Sequence, residues 1–248
     1  MIVGTMATFP ARRASLIETV TSLAGQVDRL HVVLNEYTEV LPELAGFANV
    51  DQIIPPRDLK DTGKFWPDVS GADWVFTLDD DILYPDDYVV STLEKMARFD
   101  GQRVMGGYHG SIYVPQPLKG FKLVQLRYWL HAKRGAASSR EVVEFHRALA
   151  APQVVEQLGT GVVVMRGSDW PGFAAMESSQ RFVDVRLARL CFEAGIAQIS
   201  LPRAAGWLKD RQPETSIFQD FTARDPRHVT REIRSFAYKV PNRGKMLT

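Results

Sequence analysis

The stretch ADWVFTLDDDILYPDDYV, residues 72–89, carries the strongest signal for a fold class. Its apolar start is typical of a buried strand. The strand ends at three adjacent carboxylates, Asp79 to Asp81, and ligands of open α/β sheets bind beyond the carboxyl ends of strands. Like charges repel, and a helix cap does not need a triplet. The three therefore indicate a bound cation, whereas Asp86 or Asp87 caps the helix that follows.

Strand and helix patterns alternate along the rest of the chain. Apolar runs predict strands at 2–9, 29–35, 50–55, 72–78, 102–114 (with a glycine-rich break), 159–166 and 196–202, and helices at 11–26, 88–99 and 184–195. This alternation favours βαβ units and a mostly parallel sheet. Residues 117–147 are basic and turn-rich, which predicts a loop or small excursion. A last helix, with Val229, Ile233, Phe236 and Val240 on one face, is predicted within 226–248.

Composition sets further bounds. The 248 residues carry a formal net charge of +1, so no global field favours nucleic acid as a partner. One cysteine excludes an intrachain disulfide, and no apolar run approaches the length of a membrane span. The first residues are typical of a strand and not of a signal peptide, so we expect a cytoplasmic protein. Without a repeat or a linker, the prediction is one domain over 1–248.

The spacing of the acidic triplet suits a metal. Alternate residues of an extended turn point the same way, so Asp79 and Asp81 converge while Asp80 points elsewhere. Mg²⁺ and Mn²⁺ take oxygen ligands, and they commonly bind through one or two carboxylates plus substrate phosphates. The pattern therefore predicts a Mn²⁺ or Mg²⁺ site, with Asp81 as the first ligand and Asp79 as the second.

Five elements in order carry a resemblance to a family. TLDDDILYPDDYV resembles the DXD element of GT-A glycosyltransferases, in particular family-2-like enzymes, and TFPARRASLIETVTSL resembles the end of their first strand with its following helix. DTGKFWP, GTGVVVMR and RFVDVRLARLCFEAGI resemble their Gly-Lys turn, their acceptor-side strand and their acidic motif. The resemblance covers about residues 1–205. It implies a single GT-A (Rossmann-like) α/β domain, with a mostly parallel central sheet flanked by helices and a C-terminal helical extension.

The resemblance also implies that different parts of the chain bind the donor and the acceptor. Residues 1–100 would bind the nucleotide-sugar, 101–210 the acceptor, and 211–248 would form the extension. The implied nucleotide-sugar-binding residues are Thr8, Phe9, Pro10, Arg12, Asn35, Gly63, Lys64, Asp79 and Asp80. Lys64 is equally well read as an ordinary surface lysine.

An inverting transfer needs a general base opposite the leaving nucleoside diphosphate. Asp184 is the candidate, although the motif here reads VD instead of ED or DD. The competing interpretation makes Asp184 the N-cap of its helix. Glu177 is the alternative base.

The expected function is a metal-dependent, inverting glycosyltransferase of the hexosyltransferase type. It would move a sugar from a UDP- or GDP-sugar to a glycan or lipid-linked acceptor, in the assembly of a bacterial surface polysaccharide. The alternatives are a nucleotidyltransferase acting on sugar phosphates and a non-catalytic protein that binds a nucleotide-sugar or a metal. The nucleotidyltransferase is disfavoured because TFPARR lacks the expected glycines. The basic C-terminus is read either as a packed helix with a solvated face or as a peripheral contact with the inner membrane.

Overall fold

The computed structural model describes residues 1–114, 140–211 and 227–247. Within these residues, eight strands form one twisted sheet in the order β3-β2-β1-β4-β11-β6-β12-β9. Their bounds are β1 Ile2–Thr8, β2 Arg29–Leu34, β3 Val50–Ile53, β4 Trp74–Leu78, β6 Val104–Gly107, β9 Gln153–Val155, β11 Val162–Arg166 and β12 Ala197–Ser200. The β3-β2-β1-β4 half is parallel throughout, β6 and β12 are parallel, and β11 runs antiparallel between β4 and β6.

Short strands and helices surround this sheet. The strands are β5 Ile82–Leu83, β7 Gly110–Tyr113, β8 Arg140–Val143, β10 Gln157–Leu158 and β13 Lys209–Asp210. The helices are α1 Arg13–Leu23, α2 Tyr88–Ala97, α3 Phe173–Met176, α4 Val183–Glu193 and α5 Arg227–Phe236. A 3₁₀ helix, Lys60–Phe65, lies before β4.

Apolar side chains alternate between two cores because successive strand residues point to opposite faces of the sheet. Met6, Phe76, Leu78 and Val164 pack on the α1 and α2 side, whereas Val3, Val75, Val163 and Met165 pack on the α4 side. Burial on both faces explains the nearly continuous apolar runs of the parallel strands. The predicted α/β class, with a large and mainly parallel sheet flanked by helices, is confirmed.

Several local predictions need correction. Residues 140–143 form β8, paired with β7, so this end of the predicted excursion is a strand; residues 115–139 lie outside the described part. The C-terminal helix ends at Phe236, and Val240 lies beyond it. In the described residues, no helix is both long enough and apolar enough to cross a bilayer.

Candidate functional site

The acidic triplet lies directly after β4, at the carboxyl end of the parallel half of the sheet. Tyr84 fixes this turn. The Asp79 N–H donates to the Tyr84 hydroxyl at 2.9 Å, and that hydroxyl donates to the Gly161 carbonyl just before β11. A buried tyrosine hydroxyl that both accepts and donates a hydrogen bond links the two backbone segments that it contacts. The triplet and the Gly159–Gly161 turn are therefore one local unit.

Gly161 is required by the position of Asp79. A Cβ atom at residue 161 would overlap the Asp79 carboxylate. The Asp79 side chain is 41% exposed and lies over the glycine. The glycine of the GTG sequence thus makes room for a carboxylate, which is a role that sequence reasoning did not assign to it.

Lys64 forms an ion pair with Asp79. Its side chain is only 4% exposed, and its Nζ donates to an Asp79 carboxylate oxygen and lies 3.5 Å from the Thr160 hydroxyl. Burial lowers the pKa of Lys64, but Asp79, Asp184 and Asp61 outweigh it, so the pKa is raised. Lys64 is therefore a buried cation among carboxylates, and its interpretation as an ordinary surface lysine is wrong.

Arg12 forms an ion pair with Asp81. Its Nη1 lies 2.7 Å from Asp81 Oδ2, with the two side chains 19% and 22% exposed. Burial and the charge of Asp79 raise the pKa of Asp81 against the opposing effect of Arg12, and Asp210 adds to the rise. Asp210 comes close because β13 pairs with β5, and Arg211 N–H donates to the Asp81 carbonyl at 3.0 Å. Sequence reasoning missed Asp210, because a two-residue strand has no periodicity to read.

Asp80 takes part in neither of these two ion pairs. It is buried, and desolvation raises its pKa to about 6, while the neighbouring Thr8 hydroxyl and the charge of Arg12 oppose the rise. Its neighbours Asp79 and Asp81 raise its pKa further. Thr8 at the end of β1 therefore lies beside the triplet.

Asp184 lies on α4, but it is not the N-cap. Phe182 occupies the cap position, and Asp184 is in the first turn. Its Oδ1 accepts the Thr160 N–H at 2.9 Å and the Thr160 hydroxyl at 2.7 Å. Burial raises the pKa of Asp184, and both Thr160 bonds oppose that rise. The capping interpretation is wrong, because this carboxylate is turned toward the GTG turn and not toward its own helix.

Asp61 is a further acid, partly buried, that sequence reasoning missed. Both of its carboxylate oxygens lie 2.8 Å from the Arg181 N–H. Burial raises its pKa to about 6, in spite of this bond and the charge of Lys64. Its place in DTGKFWP, three residues before Lys64, was the available signal.

Asn35 and Gly63 position the 3₁₀ helix Lys60–Phe65. The Asn35 amide donates to the Lys60 carbonyl and accepts the Leu59 N–H, both at 2.9 Å. A Cβ at Gly63 would lie 3.2 Å from Ala7 Cβ and from Val33 Cγ1. The glycine therefore lets this helix pack closely on β1 and β2, and this packing places Lys64 next to Asp79.

Comparison with solved structures identifies this architecture in other proteins. The chain superposes on glucosyl-3-phosphoglycerate synthase from Mycobacterium tuberculosis, in complex with phosphoglyceric acid, with a TM-score of 0.50 and 16% identity, covering 96% of this chain and 80% of that one. A structure of that synthase with Mn²⁺, UDP-glucose and phosphoglyceric acid gives a TM-score of 0.47, 15% identity and coverages of 95% and 79%. TarS from S. aureus superposes with a TM-score of 0.48 and 10% identity, covering 82% of this chain and 35% of that one.

The chain has the GT-A fold. Because the identity is 16%, this similarity supports the fold alone. No protein-family model and no curated protein sequence matches the chain.

Within the GT-A fold, most of the predicted residues come together at one edge of the sheet. Arg12 pairs with Asp81 and Lys64 pairs with Asp79, Thr8 lies beside Asp80, and Thr160 joins Lys64 to Asp184. Phe9 and Pro10 form the turn between β1 and Arg12, where the guanidinium lies 6.0 Å from the Phe9 ring centroid. The roles of these residues toward a nucleotide-sugar stay predictions.

Two predicted acids lie apart from this group. Glu177 is exposed, and the ion pair that the structure shows for it is with Arg57. Asp87 occupies the N-cap position of α2, but its carboxylate accepts the Ser91 hydroxyl and the Trp207 indole N–H, at 2.7 and 3.0 Å, and no α2 backbone amide. Asp87 thus ties α2 to the segment after β12 and has no contact with the triplet.

A hard divalent cation fits the donor chemistry of the triplet. Asp79 and Asp81 are oxygen donors that flank one turn, and the charge of Asp79 raises the pKa of Asp81, an effect that a cation between them would oppose. In residues 1–114, 140–211 and 227–247, no three acidic, histidine or cysteine side chains converge on a single point. Asp81 and Asp79 would therefore hold such an ion together with ligands from outside the protein, such as phosphate oxygens.

Proposed function

We propose that this protein is a metal-dependent glycosyltransferase that moves a sugar from a nucleoside-diphosphate sugar to a hydroxyl acceptor with inversion. One observation carries the proposal. Lys64 contacts both Asp79 and the Thr160 hydroxyl that holds Asp184, so the candidate donor carboxylates and the candidate base belong to one network. A sugar transfer requires these two functions on either side of one anomeric carbon.

The donor would lie over the carboxyl ends of β1, β2 and β4. Thr8, Phe9, Pro10 and Arg12 border this place after β1, and Asp79 to Asp81 border it after β4. Asn35 and Gly63 would act by placing Lys64, because their contacts are to the 3₁₀ helix and the strands beneath it. A Mn²⁺ or Mg²⁺ ion held by Asp81 and Asp79 would neutralise charge that develops on the departing diphosphate.

Asp184 would act as the general base. An acceptor hydroxyl oxygen forms a bond to the anomeric carbon, the bond from that carbon to the diphosphate breaks, and the hydroxyl proton passes to the carboxylate. Thr160 holds one oxygen of Asp184 and so fixes the direction of the other. Glu177 fits the role less well, because it is paired with Arg57 at the surface.

The outer face of α5 suits an anionic surface. Val229, Ile233 and Phe236 are buried against the body, whereas Arg227, Arg231 and Arg234 are exposed on the other side. Lys and Arg near a bilayer interact favourably with anionic lipid headgroups. We propose a peripheral membrane contact here, which would bring the site to a lipid-linked acceptor for the assembly of a bacterial surface glycan.

The test of the function begins with binding. Calorimetry of the purified protein with Mn²⁺ should detect UDP or GDP, and Asp81→Ala should weaken that binding more than tenfold by removing the first metal ligand. Asp86→Ala is the matched control, since Asp86 is an exposed acid of the same segment. If neither nucleotide binds with metal present, the transferase proposal is wrong.

A donor screen then defines the reaction. Nucleotide-sugars would be incubated with a panel of hydroxyl acceptors that includes phosphoglyceric acid, and released nucleoside diphosphate would be measured. Release that depends on both acceptor and metal supports the transfer. Transfer of the nucleotide to a sugar phosphate, with release of pyrophosphate, would instead indicate a nucleotidyltransferase.

A further inference from the structure

Each of the two carboxylates that we assign to the metal is already paired with a protein cation. Asp79 forms an ion pair with Lys64, and Asp81 forms an ion pair with Arg12. We infer that Arg12 takes the place of the metal in the metal-free protein, and that it moves from Asp81 to the donor diphosphate when a divalent cation binds. This inference rests on the proposed function and adds a residue that exchanges partners.

The need for a resident cation follows from the charge density. Asp79, Asp80 and Asp81 are consecutive, Asp80 is buried, and Asp210 on β13 lies close to Asp81. Carboxylates withdrawn from water are costly unless they are paired. Arg12 meets this need at Asp81 with a 2.7 Å charge-assisted hydrogen bond. Arg12 therefore offsets part of the negative charge of the triplet.

A divalent ion and a guanidinium bound to the same Asp81 carboxylate repel each other. Both carry positive charge, and at a separation of a few ångströms in a partly buried site their repulsion is strong. Metal binding thus favours release of the guanidinium. A diphosphate brought in with the ion offers planar pairs of oxygens, which arginine binds in a bidentate manner.

Arg12 and Lys64 differ in their freedom to make such an exchange. Lys64 is buried on the 3₁₀ helix and also lies near the Thr160 hydroxyl, so its departure would leave buried groups unpaired. Arg12 stands on the turn after β1 at the rim of the site, with about a fifth of its side chain exposed. Its guanidinium can turn outward without disturbing the core, so we assign the exchange to Arg12 and not to Lys64.

The experiment measures Mn²⁺ affinity in the absence of nucleotide, from the electron paramagnetic resonance signal of free Mn²⁺. Arg12→Gln should bind Mn²⁺ about five- to tenfold more tightly than the wild type, because the competing cation is gone. Arg13→Gln is the matched control, since its guanidinium pairs with Glu43. It should stay within about twofold of the wild type. Arg12→Lys, which keeps the charge, should lie close to the wild type.

A second titration tests the destination of Arg12. With saturating Mn²⁺, Arg12→Gln should bind UDP or GDP about tenfold more weakly than the wild type, because the diphosphate loses a charge-assisted partner. The same variant thus gains metal affinity and loses nucleotide affinity, which a merely structural role would not produce. Thermal melting checks that each variant is folded.

The contrary outcomes are distinct. Unchanged or weaker Mn²⁺ binding by Arg12→Gln overturns the stand-in role, and unchanged nucleotide binding overturns the exchange. In both cases the proposed function survives if the wild type binds nucleotide with metal. A wild type that binds neither Mn²⁺ nor nucleotide overturns the proposed function and the inference together.

Discussion

Thr160 donates both its backbone N–H and its hydroxyl to the same oxygen of Asp184, at 2.9 and 2.7 Å. The two donors belong to the turn that precedes β11, whereas Asp184 belongs to the first turn of α4. A carboxylate fixed in this way from another element has a defined direction, which a general base needs. The pair therefore connects the antiparallel strand at the centre of the sheet with the proposed chemistry.

Asp184→Asn should abolish turnover and leave donor binding intact. The amide cannot take a proton from the acceptor, so we expect a fall in kcat of at least about 100-fold. UDP or GDP affinity should change less than about twofold, because the proposed function assigns Asp184 to the acceptor and not to the donor. Glu177→Gln is the control and should retain wild-type kcat. Turnover that survives in Asp184→Asn would remove Asp184 from the mechanism.

Thr160→Val should make Asp184 a less well oriented base without removing its carboxylate. The N–H bond persists and the hydroxyl bond is lost, so we expect kcat to fall about tenfold with an unchanged KM for the donor. Both Thr160 bonds lower the pKa of Asp184 against burial. Losing one bond raises that pKa, which should move the acid limb of the kcat–pH profile to higher pH. Thr160→Ser should restore both quantities; an unshifted acid limb would assign Thr160 a packing role alone.

Asp61→Asn should change how stability depends on pH. Burial raises the pKa of Asp61 from 3.8 to about 6, so the folded state holds this proton more tightly than the unfolded chain. The contribution to stability is complete below pH 3.8 and is lost as the pH rises to 6. Between pH 4.5 and 7.5 this amounts to about 2 kcal/mol in the free energy of unfolding.

Urea unfolding at several pH values measures that slope. Asp80 adds a similar slope, because its pKa is also raised to about 6, and the difference between wild type and Asp61→Asn isolates Asp61. Asp86→Asn, at an exposed position, serves as the control. Equal slopes for the wild type and Asp61→Asn would show that Asp61 is solvated in solution.

Gly161→Ala should displace the Asp79 carboxylate, because the new methyl group would occupy its place. We expect Mn²⁺-dependent nucleotide binding to weaken by at least about tenfold, with a loss of stability of about 1–3 kcal/mol from overpacking. Gly71→Ala is the matched control, since a Cβ there meets nothing within 4 Å. Calorimetry with UDP or GDP and Mn²⁺ compares the two, and equal affinities would mean that the position of Asp79 does not matter for the donor.

The outer face of α5 should bind anionic vesicles. Replacing Arg231 and Arg234 together by Gln removes two exposed charges, each contributing about 1 kcal/mol at an anionic surface, so vesicle affinity should fall about thirtyfold. The matched control replaces Arg103 and Arg166, whose guanidiniums pair with Asp169 and Asp100. Co-sedimentation with anionic and with neutral vesicles provides the measurement. Equal binding by both double variants would contradict a membrane role for α5.

Local patterns were sufficient for the fold class. The apolar runs of β1, β2 and β4 are long enough to read because each strand is buried on both faces, and the acidic triplet marks where β4 ends. The strands β5, β10 and β13 have two residues each, which is too short for any periodicity. Likewise β8 was missed, because its four residues lie in a basic segment and the strand is recognised by its pairing with β7.

In the candidate site, too, some features follow from the local sequence and others from tertiary contacts. The chain order alone places Asp79, Asp80 and Asp81 at the carboxyl end of a strand, since that position depends on neighbouring residues only. The partners of these acids depend on contacts between residues far apart in sequence: Arg12 is 69 positions from Asp81, and Thr160 is 24 from Asp184. Such pairings follow from the order of strands in the sheet and the packing of its loops, because only folding brings β1, β4, β11 and the 3₁₀ helix to one edge. The sequence therefore specified where charge would collect, and the folded chain specified that Lys64 pairs with Asp79 and Arg12 with Asp81.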